Sequence, residues 1–230
     1  MEELKRELDA LIASLPDEQE FRRKLENLFS VYPFNEFEYI ISTLLGNGIL
    51  SLDDYLGMRD SYIERNAFLY IFEISGPRTF GEAWAQSHFK ELVPELHKPS
   101  RQLDPRYSGE YDFYLDGKIR IEVKASRAVD ADSDEPLYLK ALASNSTKHF
   151  WMNFQQVKCA CCDVFVWIAV WRDRIRYWVL SSHELEAHPN YSTGQHRGNT
   201  GEGQLHVRQD NIKDFDRFEA RSDGLAQAIR

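Results

Sequence analysis

Early in the chain, apolar residues recur at helical spacing. Leu4, Leu8, Leu11 and Ile12 mark one amphipathic helix; Phe21, Leu25, Leu28 and Phe29 mark a second that opens at Pro16-Asp17. A third covers residues 37–45 and stops at Gly46-Asn47-Gly48. Ser51-Leu52-Asp53-Asp54 has the form of an N-cap opening a long helix toward Ile74, and Gly76-Pro77 closes it. The period then changes. Residues 79–92 read as a helix, 95–98 as a short strand, and 111–115 and 119–125 as two strands around a turn. Residues 148–159 read as a helix with Phe150, Trp151, Phe154 and Val157 on its apolar side, and 164–171 as a buried strand. The pattern predicts an α/β (α+β) chain in which a mixed central sheet is flanked by helices. An N-terminal helical region, 1–75, precedes the main domain, 76–230.

The two strands around the turn carry the most informative register. In the second, Ile119, Ile121, Val123 and Ala125 share one face, while Lys118, Arg120, Glu122 and Lys124 share the other. A two-residue Asp116-Gly117 loop would pair Asp112 with Ile121 and put a carboxylate on the apolar face. An odd loop or a bulge pairs Leu115 with Ile119 and Phe113 with Ile121, and sets Asp112 opposite Glu122 with Lys124 beside them. A one-residue slip reverses every side chain, so burial favours the odd loop. Facing carboxylates repel unless a positive charge lies between them. Lys124 could supply it, and a hard dication bound through oxygen is the better candidate. The alternative is an exposed hairpin with a salt-bridged polar face.

Asp112, nine further residues, then Glu122-Val123-Lys124 resembles the motif of the PD-(D/E)XK nuclease superfamily, with Tyr111 at the usual proline position. The predicted order of helix, strand, hairpin, helix and strand is similar to that family's core, a restriction-endonuclease-like fold. Among its branches the likeness is to small type II restriction endonucleases. The resemblance implies a magnesium-dependent endodeoxyribonuclease, with Mn2+ able to substitute, that cuts duplex DNA at a specific sequence. Asp112, Glu122 and the Val123 carbonyl would hold the metal, and Lys124 would orient the attacking water. Glu82 on the first helix and Gln155, or its neighbour Gln156, on the second would complete the site. Double-stranded DNA is then the partner, and a cognate DNA methyltransferase encoded nearby is the expected companion. A structure-selective repair or recombination nuclease of the same fold, or a non-catalytic DNA-binding module, are the alternatives.

Composition narrows this picture. The net charge of −9 argues against a protein that coats nucleic acid, but not against one whose basic residues are local. Those residues cluster at 120–127 and 172–176. Arg127 follows the motif, and Arg174 and Arg176 alternate with apolar residues, where they could grip phosphates or protect an edge strand. The glycine-punctuated stretch 191–201 offers Gln195, His196, Arg197 and Asn199 for base contacts. The helical layer could be a homodimer surface, a DNA-clamping arm or simple core cover. Cys159, Cys161 and Cys162 are too closely spaced to bridge one another and lack nearby zinc co-ligands, which predicts reduced cysteines and a cytoplasmic location. No apolar run reaches a membrane span. The acid-rich stretch 126–147 reads as a flexible loop at the substrate edge, since Asp130, Asp132 and Asp134 lack the glycine and glutamate of a calcium loop.

Overall fold

Helical periodicity in the N-terminal region produces α1 (Glu2–Ile12), α2 (Glu18–Glu26), α3 (Phe34–Gly46) and α4 (Leu52–Arg65). In this computed structural model the described residues are 2–26, 34–65, 68, 71, 72, 74, 76, 78–194 and 201–230. Gln195, His196, Arg197 and Asn199 therefore lie outside them. Leu8, Ile12, Phe21, Ile40, Leu44 and Leu50 bury one another in a core of their own. Ser51 caps α4, its Oγ accepting from the Asp54 N–H at 3.1 Å. The chain divides into two units, Met1–Asn66 and Ala67–Arg230.

In the second unit a π-helical turn, Thr79–Trp84, runs into α5 (Ala85–Leu92). Phe80, Ala85 and Phe89 form its buried stripe. Strands β1 (Phe113–Leu115) and β2 (Ile119–Arg127) follow. Their register is the odd-loop one: Leu115 pairs with Ile119 and Phe113 with Ile121. Asp116 and Gly117 both take positive φ in the turn. The segment 95–98 contributes a single bridge, His97 to Tyr114, rather than a strand.

The expected helix at 148–159 is instead a strand. β3 (Val129–Asp130) and β4 (Phe150–Val157) pair antiparallel, with a short helix, Leu137–Lys140, between them. Phe150, Met152 and Phe154 are buried and Trp151 and Gln155 are exposed, which is period two. Phe150, Trp151, Phe154 and Val157 also fit a helical stripe, so pattern alone left the element ambiguous. Packing decides it: Phe154 meets the edge of Trp167 at 5.1 Å between centroids. The acid-rich stretch is likewise structured, with Asp130 buried in β3 and paired to Lys148 at 2.9 Å.

Strands β5 (Val164–Val170), β6 (Ile175–Ser181), β7 (Tyr191–Thr193), β8 (Gly203–Arg208) and β9 (Glu219–Ala220) complete two sheets. The first has the order β1-β2-β5-β6-β9, the second β3-β4-β8-β7. The first is mixed, because β2 and β5 run parallel while their neighbours pair antiparallel. A parallel pair needs a crossover, which is usually helical; here the β3–β4 excursion forms part of it. Arg120 fixes the junction through a two-pronged pair with Asp163 at 2.7 and 3.1 Å. Every β5 residue after Val164 is buried, as expected of a strand covered on both faces. The unit is thus a mixed α/β fold. Among the described residues no helix is long and apolar enough to cross a membrane. All three cysteines are free, with Cys161 and Cys162 buried.

Candidate active site

Parity along β2 decides what faces the cleft. Glu122 lies beside Phe165 and Lys124 beside Trp167, so both project from the face of the first sheet that the second sheet covers. Asp112 reaches the same place from the residue before β1. Tyr111, buried and hydrogen-bonded to Asp104 at 2.9 Å, anchors the segment that carries it. The Asp112 N–H donates to the Ile121 carbonyl at 3.0 Å. These three residues line a cleft of about 940 Å³ with Gln86, Asn153, Gln155 and Gln156.

The Asp112 carboxylate accepts from the Val123 N–H at 2.9 Å through Oδ2 and from Gln86 Nε2 at 2.5 Å through Oδ1. Lys98 Nζ donates to the Gln86 Oε1 and also sits over the Phe113 ring at 4.4 Å. Lys124 Nζ pairs with Glu122 Oε1 at 2.8 Å, and the two side chains are only 19% and 13% exposed. Burial raises the Asp112 carboxyl above its ordinary value, against the Val123 N–H and the charges of Lys124 and Lys98. Burial also pushes Glu122 up to about 7; Lys124 opposes this and the Asp112 charge adds to it. The floor of the cleft thus holds two partly buried acids that burial makes hard to ionise, with the Lys124 and Lys98 ammoniums nearby.

Within a strand, the N–H and C=O of one residue point to the same edge. The Val123 N–H faces Asp112, so its carbonyl faces the edge where Asp112 sits. The available oxygen set is therefore the two carboxylates and that carbonyl. Among the described residues no group of three or more His, Cys, Asp or Glu side chains is placed to hold a metal.

The other expected residues are distributed unevenly. Glu82 lines the cleft but is 62% exposed and pairs with Arg78 at 3.2 Å. Gln86, one turn further on, is the helix residue that touches Asp112. Gln155 and Gln156 both line the cleft, because a bulge between Phe154 and Val157, with Gln156 at φ 56°, sends consecutive side chains to one side. Arg127 lies at the cleft lining but shares parity with Ile121 and Val123, and its guanidinium rests over the Phe80 ring at 4.0 Å. Its Nη1 donates to the Ile71 and Ile74 carbonyls at 3.0 and 2.6 Å. Burial lowers its pKa to about 10. Arg176 is paired with Glu219 and Asp216, and Arg174 stands 3.9 Å from Glu219; neither lines the cleft. Gln86 and Lys98 were not legible as site residues. The available signal was that Gln86 follows Glu82 by one turn and that Lys98 ends the segment paired to Tyr114. Comparison with protein-family models and with curated proteins finds no match for this chain.

Proposed function

We propose that this chain is a metal-dependent endodeoxyribonuclease that cuts duplex DNA at a specific sequence, in the manner of a type II restriction endonuclease with a PD-(D/E)XK core. The observation that carries the reading is the gathering of Asp112, Glu122 and Lys124 on the floor of one cleft. A helix, a hairpin and a parallel strand in the order of that core add support, although a strand stands where the second helix was expected.

The residues fit a divalent cation. Burial makes both carboxyls hold protons more tightly than usual, against the pull of Lys124, and each oxygen that accepts one hydrogen bond retains a further lone pair. Asp112, Glu122 and the Val123 carbonyl would hold Mg2+, which when bound lowers the pKa of a coordinated water and offsets charge on the scissile phosphate.

The chain's own groups have separate tasks. Gln86 and the Val123 N–H fix the direction of the Asp112 carboxylate. Glu122 holds Lys124, whose ammonium orients the attacking water and stabilises charge developing on the phosphate oxygens. Gln155 and Gln156, which also line the cleft, offer amides to the phosphate. Water adds to phosphorus as the bond to the 3′ oxygen breaks, leaving a 5′-phosphate and a 3′-hydroxyl. The test is incubation of the purified protein with unmethylated plasmid or phage DNA, with magnesium and with EDTA. Discrete fragments in magnesium alone are expected. Intact DNA under all conditions overturns the reading, and an unfocused smear overturns its sequence-specific part.

A further inference from the structure

We propose that the outer face of the second sheet, formed by β4 and β8, is the surface along which duplex DNA enters the cleft. This rests on the nuclease reading and assigns the grip to residues beyond Asp112, Glu122 and Lys124, with Trp151 and Arg208 foremost. Phe150, Met152 and Phe154 turn inward from β4, and Leu205 and Val207 from β8. The alternate positions, Trp151, Asn153 and Gln155 with Gln204, His206 and Arg208, therefore share the outer face. The register sets Trp151 opposite Arg208 and Asn153 opposite His206.

Three observations favour DNA on this face. The first is continuity. Trp151, Asn153 and Gln155 line the same cleft as Glu122 and Lys124, and Trp151 and Arg208 line a further depression of about 380 Å³ beyond it. The second is charge. Arg127 and Arg176 are committed to backbone carbonyls or carboxylates, and Arg174 stands 3.9 Å from Glu219, away from the cleft. The exposed Arg208 guanidinium has no ion pair among the described residues, and Asp210, which shares its depression, does not bond it. The third is the indole. Trp151 is 36% exposed, whereas Trp167, Trp171 and Trp178 are buried. Its ring lies against His206 at 5.9 Å and 12°, with Nε1 donating to Nδ1 at 3.0 Å. A flat aromatic ring held in place loses little entropy on contact with a sugar or base. Arginine suits phosphate or guanine, and glutamine or asparagine suits adenine. Asn153 adds a buried Oδ1 with no hydrogen-bond partner.

The test uses the full chain and a labelled random-sequence duplex of about 30 base pairs, with binding read by anisotropy in calcium and plasmid cleavage read in parallel in magnesium. Arg208→Ala should weaken binding about threefold to tenfold at low salt and reduce the slope of log affinity against log salt by about one. Trp151→Ala should weaken it about tenfold, while Trp151→Phe, which keeps a ring, should stay near wild type. Should Trp151→Ala melt early, Arg208→Glu on the exposed rim tests the same face and should bind more weakly than Arg208→Ala. Wild-type binding by the Arg208 and Trp151 variants, in a protein that does cut DNA, overturns the assignment of this face. A wild-type protein that neither binds nor cuts DNA overturns the nuclease reading itself.

Discussion

Gln86 Nε2 donates to Asp112 Oδ1 at 2.5 Å, and Lys98 donates in turn to the far side of the same amide. The amide oxygen is occupied by a cation, so the NH2 must face the carboxylate. Removing this contact should leave Asp112 less well oriented and still harder to ionise. Gln86→Ala is expected to lower Mn2+ affinity about tenfold in a calorimetric or resonance titration, with Lys98→Ala moving the same way. Unchanged affinity in both would make the contact incidental.

Asp112→Asn, Glu122→Gln and Lys124→Ala should each reduce cleavage by about a thousandfold or more, the loss of several kcal/mol of transition-state stabilisation. Circular dichroism and melting should show the fold retained. A variant that cuts at a near-normal rate removes its residue from the mechanism.

The acidity of Glu122 predicts how metal-free stability depends on pH. The folded residue keeps its proton up to about 7, against about 4.5 for an ordinary glutamate. The folded state thus binds more protons than the unfolded one between these values. The stability from the neutral carboxyl is complete below about pH 4.5 and is lost as pH rises toward about 7. The urea midpoint should fall across that window, and Glu122→Gln should flatten the fall. Metal affinity should rise over the same range, because the cation competes with the proton.

An oxygen-only set favours Mg2+ or Mn2+ for turnover. Ca2+, larger and less exacting in geometry, should bind with little cleavage. Each ion should raise the melting temperature of the wild type and not of a double Asp112→Asn, Glu122→Gln variant. Full activity after thorough chelation would end the metal mechanism.

Arg127 should behave as a structural cation. Its removal leaves the Ile71 and Ile74 carbonyls without their donor and empties the space beneath Phe80. Arg127→Ala is expected to cost about 2–3 kcal/mol in urea unfolding, with DNA affinity little changed once the protein is folded. A weakened affinity at intact stability would return Arg127 to the DNA surface.

The hairpin was legible because its information is local. Apolar residues at 119, 121 and 123 must face a core, and only the odd-loop register allows it, which also fixes Asp112, Glu122 and Lys124 near one another. The helix at 79–92 and the buried strand from Val164 were legible for the same reason. Tertiary structure decided the rest. Residues 150–157 satisfy two periods, and contact with Trp167 selects the strand. Arg127 was counted with the motif's basic residues, yet its parity turns it to the Phe80 side of the sheet. Arg176 was free to grip phosphate until Asp216 and Glu219, some forty positions later in the chain, folded onto it. Gln86 and Lys98 reach Asp112 only because a helix and a bridged segment pack against β1 and β2. Side-chain period sets which face a residue takes; which partner waits on that face depends on chain segments too distant in sequence for any local pattern to record.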